Sequence, residues 1–109
     1  MNKTIIQTPV APAAIGPYSQ ATVGNHTLFI SGQLPIDPET GVMPDDLQAQ
    51  VRQSMRNVLA LVAAAGGTAE NVVKFGLFVR DMGAFGKINE AYSEFFQKDA
   101  PARFVVEVS

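Results

Sequence analysis

The chain has 109 residues, of which 47% are hydrophobic and 17% charged, with a formal net charge of -2 and a pI near 5.2. That length makes one domain over residues 1–109 with a single core, and a charge fraction below the roughly 25% of ordinary soluble domains leaves apolar surface that self-association is expected to cover. Eight scattered Lys and Arg residues give no footprint for a nucleic-acid backbone, the absence of cysteine excludes disulfides, thiolate nucleophiles and zinc–thiolate sites, and no stretch approaches membrane-spanning length.

The first sixteen residues, MNKTIIQTPVAPAAIG, carry one lysine and no continuous apolar run before Pro9 and Pro12, so they do not read as a signal peptide. A cytoplasmic location is expected. Tyr18 to Val23 and Thr27 to Leu34 are both strand-like, and Gly24 and Asn25 between them tolerate positive φ, which predicts a hairpin with His26 in or beside its turn. His26 is the only histidine, with no titratable neighbour in sequence, and reads as an exposed turn residue. PIDPETGVMPDD then reads as a surface loop with a turn at Asp37 to Gly41.

Asp45 or Asp46 is placed to cap a helix whose apolar residues Leu47, Val51, Met55, Val58, Leu59 and Val62 recur at helical spacing. Gly66 and Gly67 end it. Thr68 to Asn71 predicts a short capped turn, and VVKFGLFVRD from Val72 is β-branched and apolar enough for a central strand. Asp81 caps a second predicted helix from about Met82 to Gln97, with Phe85, Ile88, Tyr92, Phe95 and Phe96 on its apolar face. In the closing DAPARFVVEVS, alternation sets Phe104, Val106 and Val108 on one face and Arg103, Val105 and Glu107 on the other. The order strand, strand, helix, strand, helix, strand predicts an α+β sandwich, one sheet covered on one face by two helices.

Chemical motifs are few. No GxxxxGKS/T phosphate loop, dinucleotide GxGxxG, HExxH or calcium-loop carboxylate series is present. Asp37, Glu39, Asp45 and Asp46 read as solubility and capping rather than metal ligands, and one histidine without cysteine does not support a nucleophilic triad. Three polar stretches remain: IGPYSQA, FISGQLP and PARFVVEV. Each has a plain structural reading, as a turn before an edge strand, a bulge and a strand start.

Together and in order, APAAIGPYSQA, FISGQLPIDPETG, a helix with NV, a strand ending VRDM, INEAYSEFF, and PAR followed by VEV resemble the reactive intermediate deaminase A family (RidA, or YjgF) from about residue 10 onward. The resemblance implies a chorismate-mutase-like α+β fold, with one mainly antiparallel sheet under two helices. It implies a homotrimer around a central barrel, with three pockets between subunits. It further implies hydrolysis of reactive enamine and imine acids, above all 2-aminoacrylate and its imine tautomer (2-iminopropanoate) and 2-iminobutanoate, to 2-keto acids and ammonia. The family uses no cofactor and no metal. Its substrates arise when pyridoxal-phosphate enzymes dehydrate serine or threonine.

Carried over by position, the family's carboxylate-binding arginine falls on Arg103, whose planar fork of donors matches a carboxylate bidentately. Tyr18, Ser31, Gly32 and Asn89 fall on pocket-lining positions, Phe85 or neighbouring apolar groups are expected to supply wall, and Arg103 and Tyr18 are the catalytic candidates. Val105 stands where many members have a cysteine, so any contact of that thiol is lost. Members continue past VEV with a segment of the type ARLP and one more strand, whose glutamate activates the attacking water. This chain stops at Ser109, so a sheet edge is expected to lie open and that role to be unfilled. Two readings stay open, an imine deaminase and a non-catalytic trimeric module that binds small carboxylates. The acidic pI and the lack of a histidine pair or basic patch disfavour a third, a ribonuclease or translation inhibitor.

Overall fold

Residues 2–109 are described by a computed structural model, and they open with a strand that the sequence pattern does not reveal. This β1 (Thr4–Ile6) pairs antiparallel with β2 (Ala21–Gly24), which pairs antiparallel with β3 (Thr27–Ile30). Three residues are too few for an alternation pattern. The predicted hairpin is present, with its turn one residue later than expected: Gly24 pairs with Thr27, leaving Asn25 (φ 51°) and His26 (φ 61°) as the central pair. Positive φ at both positions is the type I′ geometry that suits the strand twist.

Between β1 and β2 the chain is held by one side chain. Gln20 is only 4% exposed. Its Oε1 accepts from the Thr8 N–H at 2.8 Å, and its Nε2 donates to the carbonyls of Thr8, Ala11 and Pro12 at 3.0, 3.2 and 2.8 Å. Prolines cannot donate to a sheet ladder, so the amide of Gln20 takes the place of a strand partner for this segment.

The long helix α1 (Leu47–Ala64) starts where expected, with the Asp46 carboxylate accepting from the Ala49 N–H at 2.9 Å. It ends in a Schellman arrangement, with Gly67 N–H on the Val62 carbonyl and Gly66 N–H on that of Ala63, both at 2.9 Å. Gly66 has φ 90°, a conformation that glycine adopts without a Cβ penalty. The capped turn Ala69–Asn71 follows, and then β4 (Lys74–Val79). The second predicted helix is shorter than its apolar pattern: a 3₁₀ turn at Met82–Ala84, capped by Asp81, leads into α2 (Phe85–Ser93). Past Ser93 the backbone runs in turns, with Phe95 N–H on the Tyr92 carbonyl at 3.2 Å. The last strand, β5 (Ala102–Glu107), runs parallel to β4 and is its one ladder partner among the described residues.

The α+β class and the two-helix cover expected from the sequence are what the chain adopts. Helix α1 packs over both ladders, with Leu61 against Ala11 and Ala21 at one end and Met55 against Phe75 and Tyr92 at the other. No described helix is long and apolar enough to cross a membrane.

Strand register decides which side chains face these helices. Phe75 lies opposite Arg103, Leu77 opposite Val105 and Val79 opposite Glu107, so the arginine side of β5 is the helix-covered side. Its apolar side looks away, with Phe78 67% exposed beside Phe104 and Val106. On the antiparallel ladder Ile5, Thr22 and Phe29 form the matching outer row, and Phe29 is 61% exposed. Gly76 belongs to this outer side because the Phe104 ring covers it: a Cβ there would come within 2.3 Å of the ring.

A bidentate contact ties the helices together at their exposed edge. Arg52 Nη2 and Nε reach Glu94 Oε2 and Oε1 at 2.9 and 3.0 Å. The hydrogen bond from Arg52 is the main reason the Glu94 carboxyl titrates below its ordinary 4.5. A carboxyl whose folded value is depressed contributes stability above its unfolded value and loses it as pH falls through the folded one. The stability difference between the natural chain and Arg52→Gln is therefore expected to narrow as the pH drops below 4.5, read by urea unfolding at a series of pH values. A gap constant down to pH 2 (roughly two pH units lower) would remove this linkage.

Candidate functional site

Arg103 projects from β5 toward α2, half-buried between that helix and β4. Its Nη1 donates to Asn89 Oδ1 at 2.7 Å. The guanidinium carbon lies 4.8 Å from the centre of the Tyr92 ring and 5.5 Å from that of Phe85. Phe85, Asn89 and Tyr92 are four and then three residues apart, so one face of α2 presents all three. Among the described residues no carboxylate pairs with Arg103, and the one ion pair is Arg52 with Glu94. A half-buried guanidinium with one neutral acceptor and aromatic walls keeps several donors for an anion.

Tyr92 is the member of this group that sequence reasoning assigned to the core alone. It is 6% exposed and wedged edge-on against Phe75 at 5.8 Å, with Phe96 at 5.2 Å. Its hydroxyl is buried with no hydrogen-bond partner among the described residues. Burial pushes that phenol above its ordinary value of 10 and Arg103 pulls it back, so it stays protonated at physiological pH. An aromatic at helical spacing reads as core, and here it is both core and a wall of the arginine cluster.

Tyr18, Ser31 and Gly32 lie elsewhere. Tyr18 is exposed in the bend before β2, its N–H on the Gly16 carbonyl at 2.8 Å and its hydroxyl accepting from the Ile15 N–H at 3.4 Å. With Ser31, Lys3, Thr22 and Phe29 it lines an open depression of about 390 Å³ on the three-stranded ladder. Ser31 donates to the Ser19 carbonyl at 2.7 Å, and Gly32 follows it, exposed, in the loop past the end of β3. Among the described residues no hydrogen bond joins this group to Arg103, Asn89 or Phe85. The candidates fall into two clusters rather than one.

Two neighbours of Arg103 on β5 complete the description. Val105 is half-buried opposite Leu77 and brings only methyl groups. Glu107 Oε1 accepts from the Met82 N–H at 2.8 Å, which commits that carboxylate to holding the 3₁₀ turn before α2. Asn57 was not foreseen in the sequence and bears on the other cluster: its Nδ2 donates to the carbonyls of Leu34 and Ile36, both at 3.0 Å, and fixes the segment just after Ser31 and Gly32 to α1.

The family model described as Endoribonuclease L-PSP matches residues 8–109. The 2-iminobutanoate/2-iminopropanoate deaminase of Salmonella typhimurium is 46% identical over 112 residues, which cover 100% of this chain and 87% of that one. The E. coli TdcF structure with bound serine is 44% identical, with a TM-score of 0.91 over 96% of this chain and 85% of that one. YyfA of Yersinia pestis, described as belonging to the conserved Rid protein family, is 41% identical, with a TM-score of 0.95 over 99% and 87% of the two chains. With the motifs, the fold and these relatives in agreement, the chain belongs to the endoribonuclease L-PSP family, the RidA/YjgF family.

Proposed function

We propose that this chain hydrolyses imine acids such as 2-iminopropanoate and 2-iminobutanoate, and their enamine tautomers, to 2-keto acids and ammonia in the cytoplasm, without a cofactor. The observation that carries the reading is Arg103, a half-buried guanidinium bonded to Asn89 Oδ1, walled by Phe85 and Tyr92 and paired with no carboxylate among the described residues. The naming of a close relative as a deaminase of these acids, and serine in the TdcF structure, agree with a small amino-acid-like carboxylate as ligand.

The chemistry asks for positioning more than for strong acids or bases. Arg103 binds the substrate carboxylate, water adds its oxygen to the imine carbon, and the nitrogen takes up protons until the C–N bond breaks and ammonia leaves. Fixing an already electrophilic carbon beside a water supplies much of the rate. Tyr18 and Ser31 offer hydroxyls for that water or for the departing nitrogen. A histidine-pair nuclease does not fit, since His26 is the only histidine and sits in a hairpin turn.

The same proposal assigns the outer strand face to a homotrimer. Phe29, Phe78, Phe104 and Val106 are too apolar and too contiguous in their rows to favour water, and a neighbouring copy would bring the Tyr18 cluster of one subunit to the Arg103 cluster of the next. Sedimentation is expected to give roughly three times the 11.6 kDa chain mass. A monomer at micromolar concentration would count against a shared pocket. The functional test is release of keto acid and ammonia from an imino acid generated in situ. Binding of a 2-keto acid in calorimetry without turnover would leave a carboxylate-binding module instead.

A further inference from the structure

We propose that Tyr92 is the positioning residue for Arg103: its ring face is the platform that holds the guanidinium plane toward an incoming carboxylate, without touching the substrate itself. The inference rests on the reading of Arg103 as the carboxylate anchor. Three observations carry it. The guanidinium carbon stands 4.8 Å from the Tyr92 ring centre, closer than to Phe85 at 5.5 Å, within the range where a cation is attracted to an aromatic face. The ring has little freedom, because Phe75 meets it at an interplanar angle of 85° and Phe96 at 48°, and Phe75 sits in register with Arg103 on the adjacent strand. Asn89 fixes one nitrogen at 2.7 Å, and one hydrogen bond alone leaves the guanidinium free to swing about it. Ring and amide together restrict how far the guanidinium can swing.

The unpartnered hydroxyl separates this role from ordinary packing. No described residue bonds to it, so Tyr92→Phe keeps the platform and removes only a buried polar atom. Tyr92→Leu removes the ring. An anchor that loosens weakens substrate binding in ground and transition states alike, which raises KM more than it lowers kcat.

The test is steady-state imine hydrolysis, normalised to folded protein, for Tyr92→Phe, Tyr92→Leu, Arg103→Ala and the Tyr92→Leu/Arg103→Ala pair, with Ile88→Ala as a core control on the same helix. Tyr92→Leu is expected to raise KM roughly three- to thirtyfold with kcat changed about threefold or less, the range of a partly desolvated cation–π contact. Tyr92→Phe should retain the natural KM, and Tyr92→Leu should add nothing once Arg103 is gone. Ile88→Ala should lower the melting temperature and leave KM alone. If Arg103→Ala raises KM and Tyr92→Leu does not, this inference falls while the anchor stands; if Arg103→Ala leaves KM unchanged, both fall. Should Tyr92→Leu fail to fold, proton NMR of the natural chain decides. The Arg103 side-chain protons are expected to be displaced upfield of those of Arg52, Arg56 and Arg80 by the ring current, and an undisplaced signal overturns the stack.

Discussion

Arg103→Ala is expected to reduce kcat/KM for imine hydrolysis by roughly thirty- to a thousandfold, the equivalent of about 2 to 4 kcal/mol of transition-state binding. The size follows from the surroundings. The guanidinium is half-buried against Phe85 and Tyr92, where solvent screens a charged hydrogen bond less than at an open surface. Among the described residues no carboxylate pairs with it to compete with substrate. Arg103→Lys should recover little, because one ammonium cannot bond Asn89 Oδ1, sit over the Tyr92 ring and grip both oxygens of a carboxylate at once. Circular dichroism on each variant separates lost chemistry from lost fold. Turnover and keto-acid affinity unchanged in a folded Arg103→Ala protein would falsify the anchor.

The largest expected effect on stability belongs to a residue remote from that cluster. Asn57 is 1% exposed, and its side chain is fully engaged, donating to the carbonyls of Leu34 and Ile36 and accepting from Gln53 Nε2 at 2.9 Å. Asn57→Leu fits a similar volume but leaves the Ile36 carbonyl and the Gln53 amide donor without this partner, while the Leu34 carbonyl keeps the Ile36 N–H at 2.8 Å. At about 1 to 3 kcal/mol for each buried group left without a partner, partly offset by relaxation, a loss of about 2 to 5 kcal/mol is expected. Urea midpoints measured at one protein concentration would read it, since the proposed self-association would make apparent stability depend on concentration. A midpoint within error of the natural chain would show that the loop finds other partners. Because Leu34 and Ile36 follow Ser31 and Gly32, the same substitution should also loosen the hydroxyl side of the candidate site.

Local rules of chain chemistry made much of this legible in advance. The Asp46 cap, the apolar stripe of α1, the glycine stop at Gly66 and the capped turn at Thr68 each depend on neighbours within a few residues, and all were readable from spacing. Features that depend on distant partners were not. Strand β1 exists because β2 pairs with it. Helix α2 ends at Ser93 although Phe95 and Phe96 continue its apolar pattern, since those rings reach the core from turns. Gln20 and Asn57 look like ordinary amides until the carbonyls they satisfy, up to twenty-three residues away, are in place.

The candidate site divides along the same line. Motif resemblance put Arg103, Asn89 and Phe85 on the page, and the structure gathers them on facing elements. It leaves Tyr18, Ser31 and Gly32 in a separate place on the antiparallel ladder, a separation no spacing argument reveals. Tyr92 escaped because periodicity assigns a helical aromatic to one role.

The crossover from β4 through α2 to β5 also bears on how such a molecule can diversify. Phe75, Phe85, Asn89, Tyr92 and Arg103 lie in one contiguous segment, whereas Tyr18 and Ser31 lie in another, before the long helix. Under the proposed assignment, drift in the first thirty-five residues (roughly the hairpin and its flanks) would reshape the hydroxyl-bearing wall while leaving the proposed anion grip untouched. Substrate size and charge recognition would then be tuned on separate stretches of the gene.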